Sequence, residues 1–306
     1  MITCHHLEEL QSLGAPLHLA LGVFDGVHIG HQAVIGRAVE AARKHGGIAG
    51  VLTFDPHPIR VIAPAKAPSA LLATLRHKAD IVRDLGAGLF IPLHFDETFA
   101  AIEAEQFLTA LTAAPVKTIA VGEDWRFGRG RHGDVSVLTE AGKSKGFRLE
   151  AVAPVMIDGD RVSSTRIRQA IRDGNLADAR RMLGRPHTLG GTVIEGRKLG
   201  RQLGFPTANL FTGEVQTPPD GVWSVEVSLS DSRKFRGIAN LGVRPTVGGS
   251  ERLLEVHIFD FSENLYGSEI EVEFRDFIRE EKKFGSVDEL RTQIGLDVEK
   301  ARLDSP

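Results

Sequence analysis

The sequence has a single cysteine, Cys4, among 306 residues. That excludes an intramolecular disulfide framework and a cysteine-based zinc site, and Cys4 reads as a spectator thiol near the terminus. No apolar run approaches the roughly 20 residues that a membrane-spanning helix requires. The first residues lack a basic segment followed by an apolar stretch, so no secretory signal is visible and a soluble cytoplasmic protein is expected. A surplus of one charge is missing too: 37 Lys and Arg against 40 Asp and Glu leave a net charge of −3. No global positive field therefore favours nucleic acid or an anionic membrane surface. Internal repeats, low-complexity tracts and a Gly-x-x-x-x-Gly-Lys-Ser/Thr phosphate loop are all absent.

What is present suits a soluble globular chain, with 42% hydrophobic and 25% charged residues. Its length is a prior for about two domains. Apolar runs predict strands at 17–23, 48–54, 89–93, 118–121 and 149–153. Helical spacing falls at 32–44, 71–85 and 104–113. Strands alternating with helices indicate an α/β doubly wound domain with a mostly parallel sheet. Ligands of such sheets bind beyond the carboxyl ends of the strands. Short helices at 165–172 and 176–183 close this domain, the second with Asn175 as N-cap and Gly184 as its left-handed stop. Arg185-Pro186 marks the boundary, giving domains 1–185 and 186–306.

After His187 the texture changes. Alternating patterns at 191–195, 222–229, 235–241, 255–261 and 269–274 predict a small antiparallel β-barrel. A C-terminal helix begins at the capping box Ser286-Val287-Asp288-Glu289 and runs to about residue 302.

The chemistry of the first domain centres on Phe24-Asp25-Gly26-Val27-His28-Ile29-Gly30-His31. This segment joins the first strand to the first helix, where free backbone N–H groups and the helix dipole favour phosphate. Gly30 would let a nucleotide lie against the backbone. His28 and His31 can donate hydrogen bonds to phosphate oxygens, in neutral or charged form. The arrangement suits nucleotidyl transfer, which depends on positioning and charge stabilisation around phosphorus. Taken alone, His-x-x-His is an incidental pair or half of a metal site. Ser163-Ser164-Thr165-Arg166-Ile167-Arg168 offers hydroxyls at a helix start and arginines for a leaving pyrophosphate, or simply an ordinary cap. Asp124-Trp125-Arg126-Phe127-Gly128 puts a carboxylate, a flat ring and a cation together, or forms a surface loop with a packed aromatic.

In the second domain, Gly200-Arg201-Gln202-Leu203-Gly204-Phe205-Pro206-Thr207-Ala208-Asn209 combines two glycines with a proline-led turn. If that segment is extended, Thr207 and Asn209 lie on one side and offer neutral hard oxygens suited to Mg²⁺ on a nucleotide. A turn capped by Thr and Asn is the plainer account. Glu255, if it faces inward on its strand, can accept the proton of an attacking hydroxyl. Alternation groups Glu255 with His257 and Phe259 and leaves open whether that face is solvated.

The chain resembles the bacterial bifunctional riboflavin kinase/FAD synthetase family over nearly its whole length. In the first domain the likeness rests on residues 22–32, Thr53-Phe54-Asp55-Pro56-His57-Pro58, 122–128 and 163–168. In the second it rests on 190–210, Gly221-Val222-Trp223, 237–246, 254–267 and 277–284. The resemblance implies that His28 and His31 are catalytic and face the ATP phosphates. It implies that Gly22, Phe24, Asp25, Gly30, Ser164, Thr165 and Arg168 bind ATP and phosphate, and that His57, Asp124 and Arg126 bind flavin or nucleotide. In the kinase half it implies that Gly200, Gly204, Thr207 and Asn209 bind Mg²⁺-ATP, with Thr207 and Asn209 on the metal. Glu255 becomes the base on the ribityl 5′-hydroxyl. Trp125 stands where the family has phenylalanine and Trp223 where it has tyrosine, both aromatic for aromatic.

The reading is ATP-dependent phosphorylation of riboflavin to FMN, then adenylylation of FMN to FAD. Expected partners are riboflavin, FMN and ATP, with Mg²⁺ as cofactor; a weak homo-oligomer stays open. Two rivals are a class I aminoacyl-tRNA synthetase, from the literal His-Ile-Gly-His string, and a regulatory flavin-binding protein with inactive sites. Against the first, no Lys-Met-Ser-Lys-Ser segment follows. Against the second, the key polar residues are all present.

Overall fold

A computed structural model describes residues 1–196, 199–246 and 249–303, except the side chains of 199, 244–246 and 249–251. Arg197 and Lys198, within the resembling stretch 190–210, lie outside the described residues. The chain forms two compact units, Met1–Ser164 and Thr165–Pro306.

The first unit is built on β1 (Ile2–Thr3), β2 (Leu17–Leu21), β3 (Ile48–Asp55), β4 (Leu89–His94), β5 (Val116–Gly122) and β6 (Arg148–Val152). They form one parallel sheet in the order β1-β4-β3-β2-β5-β6. Apolar residues on both faces make β2 buried throughout, as helix-covered parallel strands require. On one face Leu19, Leu52, Ile91 and Ile119 pack with Phe107, Leu108 and Leu111 of the helix Ala104–Thr112. On the other, Ala20, Val51, Phe90 and Ala120 pack with Val34, Ile35 and Ala38 of the helix Ile29–His45. Ile81 and Val82 of the helix Leu75–Asp84 complete that face. From β2 the chain proceeds through β3 to β4 on one side, and β5 and β6 lie on the other. The order reverses between β2 and β5, and ligands of doubly wound sheets bind beyond the carboxyl ends of strands at such a reversal.

Differences from the sequence patterning have local causes. β2 ends at Leu21 rather than 23, because the chain breaks away into a left-handed turn at Phe24. The helix Val135–Lys145 is not signalled by apolar spacing; Asp134 caps it, accepting from the backbone of Ser136 and Val137. The helical stretch read at 71–85 starts at Leu75, where Thr74 Oγ1 accepts from His77 N. A hairpin of β7 (Met156–Ile157) and β8 (Asp160–Arg161) precedes the helix Ser164–Arg172.

In the second unit, the helix Leu176–Leu183 has the anticipated caps: Asn175 Oδ1 accepts from Asp178 N, and Gly184 sits at φ 71°. Six antiparallel strands follow: β9 (Thr188–Thr192), β10 (Ala208–Phe211), β11 (Gly221–Leu229), β12 (Lys234–Thr246), β13 (Gly249–Ile258) and β14 (Glu269–Arg279). Their order is β10-β13-β12-β11-β14-β9. A bridge from Ile194 N to Asn209 O, 2.9 Å, brings the two ends of the sheet together into a nearly closed barrel. Leu210, Val225, Ala239, Leu241, Leu254, Val256 and Val272 fill its interior. A smaller cluster of Val222, Ile238, Phe259 and Ile278 lies on the outer face, covered by Ala301 and Val298 of the helix Val287–Leu303. Glu289 N donates to Ser286 Oγ, while Glu289 Oε2 accepts from Gly285 N, one residue before the return bond that a capping box makes.

Candidate active sites

The turn after β2 is held from several directions. Thr53 Oγ1 on β3 donates to Val23 O at 2.8 Å, and Lys78 Nζ donates to the same carbonyl at 2.9 Å. Asp25 Oδ1 accepts from Leu72 N at 2.8 Å, and Ser164 Oγ donates to Asp25 O at 3.0 Å. Phe24 (φ 50°) and Val27 (φ 41°) are both left-handed, costly for a bulky and a β-branched residue. Gly26 is forced: its φ is 74°, and a Cβ there would meet Leu72 Cβ at 2.6 Å. At Gly22 a Cβ would collide with the Phe24 ring at 2.8 Å.

This turn delivers both histidines to the start of the helix Ile29–His45. The imidazoles of His28 and His31 stack, with ring centroids 3.6 Å apart and planes 19° from parallel. His28 Nδ1 accepts from His31 N at 3.3 Å, capping the helix. Accepting there places the ring proton of neutral His28 on Nε2, which makes that nitrogen the donor. The Phe24 ring meets His31 edge-on at 5.3 Å. His31 Nδ1 is buried with no hydrogen-bond partner among the described residues. Burial foremost, then the neighbouring His28, Lys78 and Arg161, push the His31 proton affinity well below the imidazole range. His31 is therefore neutral at pH 7. A Cβ on Gly30 would come within 3.1 Å of the His28 ring, so this glycine makes room for His28.

His57 caps the helix Pro58–Ile62, its Nδ1 accepting from Ile59 N at 3.3 Å. Asp124, beyond β5, pairs with Arg161 at 2.6 Å, a bond that holds its carboxyl below the usual carboxylate range. Arg126 pairs instead with Asp134 at 2.8 Å, so Asp124 and Arg126 are not partners of each other. Trp125 stacks on Phe127, with centroids 4.7 Å apart. Thr165 and Arg168 follow Ser164 on one helix, the first exposed and the second buried. Two residues the sequence reading passed over belong to this region: Arg161, and the buried Lys78. Neither sits in a recognisable motif, and a lysine at helical spacing reads as a solvated face.

On the barrel, Thr207 immediately precedes β10, and Asn209 lies within that strand. Asn209 stands opposite Glu255 in the β10–β13 register, and Glu255 stands opposite Asn240 in the β12–β13 register. Directly opposed residues project to one face, so these three side chains form a polar row. Leu254 and Val256 point into the barrel core, so Glu255 faces outward from it; the inward-facing option is corrected by strand alternation. Glu255 is half-buried there. Asn240 Nδ2 donates to Glu281 Oε1 at 3.1 Å. A Cβ on Gly196 would reach Asn209 Nδ2 at 2.5 Å, and one on Gly200 would meet Phe205 O at 2.4 Å. Gly204 sits at φ 91° in the turn between the helix Leu199–Leu203 and Pro206. Trp223 is a buried core residue whose Nε1 donates to Pro219 O at 3.0 Å.

Comparison with known proteins completes the description. Residues 11–166 match the family model for FAD synthetase, and residues 183–303 that for riboflavin kinase. The bifunctional riboflavin kinase/FMN adenylyltransferase of Escherichia coli (strain K12) is 41% identical over 300 residues, 97% of this chain and 95% of that one. The protein of the same name from Bacillus subtilis (strain 168) is 34% identical over 307 residues, 97% and 94% of the two chains. A solved structure from Streptococcus pneumoniae, called a macrolide-efflux protein, is 33% identical with a TM-score of 0.85, covering 99% of each chain. Among the described residues no helix is long and apolar enough to cross a membrane.

Proposed function

The chain belongs to the bifunctional riboflavin kinase/FMN adenylyltransferase family, and on that premise we propose how its residues divide the work. It is an enzyme that phosphorylates riboflavin to FMN with ATP, then adenylylates FMN to FAD with release of pyrophosphate. In the proposed division, residues 1–185 carry adenylyl transfer and 186–306 carry the kinase. A cytoplasmic location is part of the same reading.

In adenylyl transfer an FMN phosphate oxygen attacks the α-phosphorus of ATP and the bond to pyrophosphate breaks. His28 and His31 are assigned as the donors that stabilise charge developing on the phosphoryl oxygens. The observation that carries this assignment is the stacked imidazole pair at the helix start, beside the reversal of strand order. A neutral His31 fits a hydrogen-bond donor and not a full counter-charge. Gly22, Phe24, Asp25 and Gly30, which shape the turn, are assigned with Ser164, Thr165 and Arg168 to ATP and its phosphates. His57, Asp124 and Arg126 are assigned to flavin or nucleotide, which requires the Asp124–Arg161 and Arg126–Asp134 pairs to share or exchange partners on binding.

In the kinase, the ribityl 5′-hydroxyl attacks the γ-phosphorus of ATP, Glu255 accepts the hydroxyl proton, and ADP leaves. Gly200 and Gly204 are assigned to the turn that approaches ATP. The Thr207 hydroxyl and the Asn209 amide oxygen are hard donors that suit Mg²⁺, with Glu255 kept as the proton acceptor. Asn209 is buried, with its Nδ2 toward Thr207 O at 3.5 Å. Bound there, Mg²⁺ would neutralise ATP phosphate charge.

Incubation with riboflavin, ATP and Mg²⁺, followed by chromatographic separation of the flavins, tests the reading. FMN should appear first and FAD after it. Binding of FMN and ATP with no turnover would instead favour a regulatory flavin-binding protein.

A further inference from the structure

A buried ammonium stands beneath the histidine turn, and neither of its hydrogen-bond partners carries charge. Lys78 is only 7% exposed, on the helix Leu75–Asp84. Its Nζ donates to Val23 O at 2.9 Å and to Thr53 Oγ1 at 3.2 Å. The Val23 carbonyl is already satisfied by the Thr53 hydroxyl at 2.8 Å, so hydrogen bonding alone does not call for a cation here. A buried charge is costly unless something compensates it.

The titratable groups facing Lys78 come from three elements: the carboxylates of Asp25 on the turn and Asp55 at the end of β3, and the neutral imidazole of His31 on the first helix. Attraction by Asp25 and Asp55 offsets burial only in part, and the ammonium titrates at about 8. Its charge also helps to keep His31 unprotonated. The fold thus retains a buried ammonium beneath the histidine turn, with two carboxylates and a neutral imidazole around it.

We propose that Lys78 is a positioning residue for adenylyl transfer, fixing the Val23 carbonyl, and so the histidine turn, through a charge-assisted hydrogen bond. This rests on the assignment of that turn to the ATP and FMN phosphates. The sequence Val23, left-handed Phe24, then the Phe24 ring against His31 gives the lysine a direct mechanical path to the imidazoles.

The test measures kcat/KM for FAD formation from FMN and Mg²⁺-ATP between pH 6.5 and 9.5 in the full-length protein, Lys78→Met and Lys78→Arg. The riboflavin kinase rate of the same chain is the internal control for folding. Wild type should lose activity as pH rises through about 8, as the ammonium deprotonates. Lys78→Arg, charged throughout, should lack that decline. Lys78→Met should lower kcat/KM by about 10–100-fold with kinase activity retained. The proposal is overturned if Lys78→Met matches wild type, or if Lys78→Arg keeps the alkaline decline. Should Lys78→Met fail to fold, the comparison of wild type with Lys78→Arg decides. Failure of the wild type to make any FAD would instead remove the underlying adenylyltransferase reading.

Discussion

Asn209 and Glu255 face each other across the antiparallel pair β10–β13, the amide on one strand and the carboxylate on the next. Pairing of β10 with β13 bridges the separation in sequence and sets the proposed base beside the proposed metal ligand. Replacing Glu255 by Gln keeps the shape and removes the proton acceptor. Riboflavin phosphorylation should fall by about 10²–10⁴-fold in kcat, the usual worth of a general base, with KM for riboflavin little changed. FAD formation from supplied FMN should persist; an unaltered kinase rate would take Glu255 out of the role.

The histidine pair should show the reverse pattern. His28→Ala combined with His31→Ala should lower FAD formation by at least about 10²–10³-fold while FMN formation continues. Separate assays of the two half-reactions read this directly. Loss of both in a folded protein would contradict the division between units.

Gly30→Ala offers a subtler check. The new Cβ would sit 3.1 Å from the His28 ring, which must shift by a few tenths of an ångström. Adenylyl transfer should drop about 10-fold from misplacement, while stability holds or improves because alanine favours a helix. Unchanged kcat in this variant would show that the position of the His28 ring does not limit the rate.

His31 also predicts an acid dependence. Its native proton affinity lies below the unfolded value of about 6.5, so the unfolded chain binds more protons as pH falls below that value. The contribution is fully present above pH 6.5 and is lost progressively on acidification beneath it. Unfolding midpoints at pH 7.5 and 5.5 should therefore diverge more for wild type than for His31→Gln. Equal acid sensitivity in both would mean that His31 takes up a proton in the fold.

Asp297 anchors the C-terminal helix. It is 4% exposed and accepts from Arg279 Nε and Nη2 at 2.7–3.0 Å, with Gln293 Nε2 at 2.9 Å. Asp297→Ala strands the guanidinium and should cost about 3–5 kcal/mol of stability in urea denaturation. A cost under about 1 kcal/mol would show that solvent or another carboxylate replaces it.

The fold class and the two chemistries were legible because each depends on local pattern. Doubly apolar runs such as β2 require helices on both faces, and alternation from β11 to β14 requires an antiparallel sheet with one buried side. The histidine turn and the Thr207–Asn209 segment announce themselves through glycine, proline and residue type at fixed spacing.

Amino-acid order by itself therefore determined the fold classes and the family to which the chain belongs. Only the folded arrangement decided which way Glu255 faces, since a strand with polar and apolar residues alternating has two sides and the barrel chooses between them. It also set Gly30 against His28, left His31 neutral by burial, and brought Lys78 to a carbonyl 55 residues earlier in the chain. Desolvation and long-range contact cause these features, and both arise from neighbours that no local window of sequence contains.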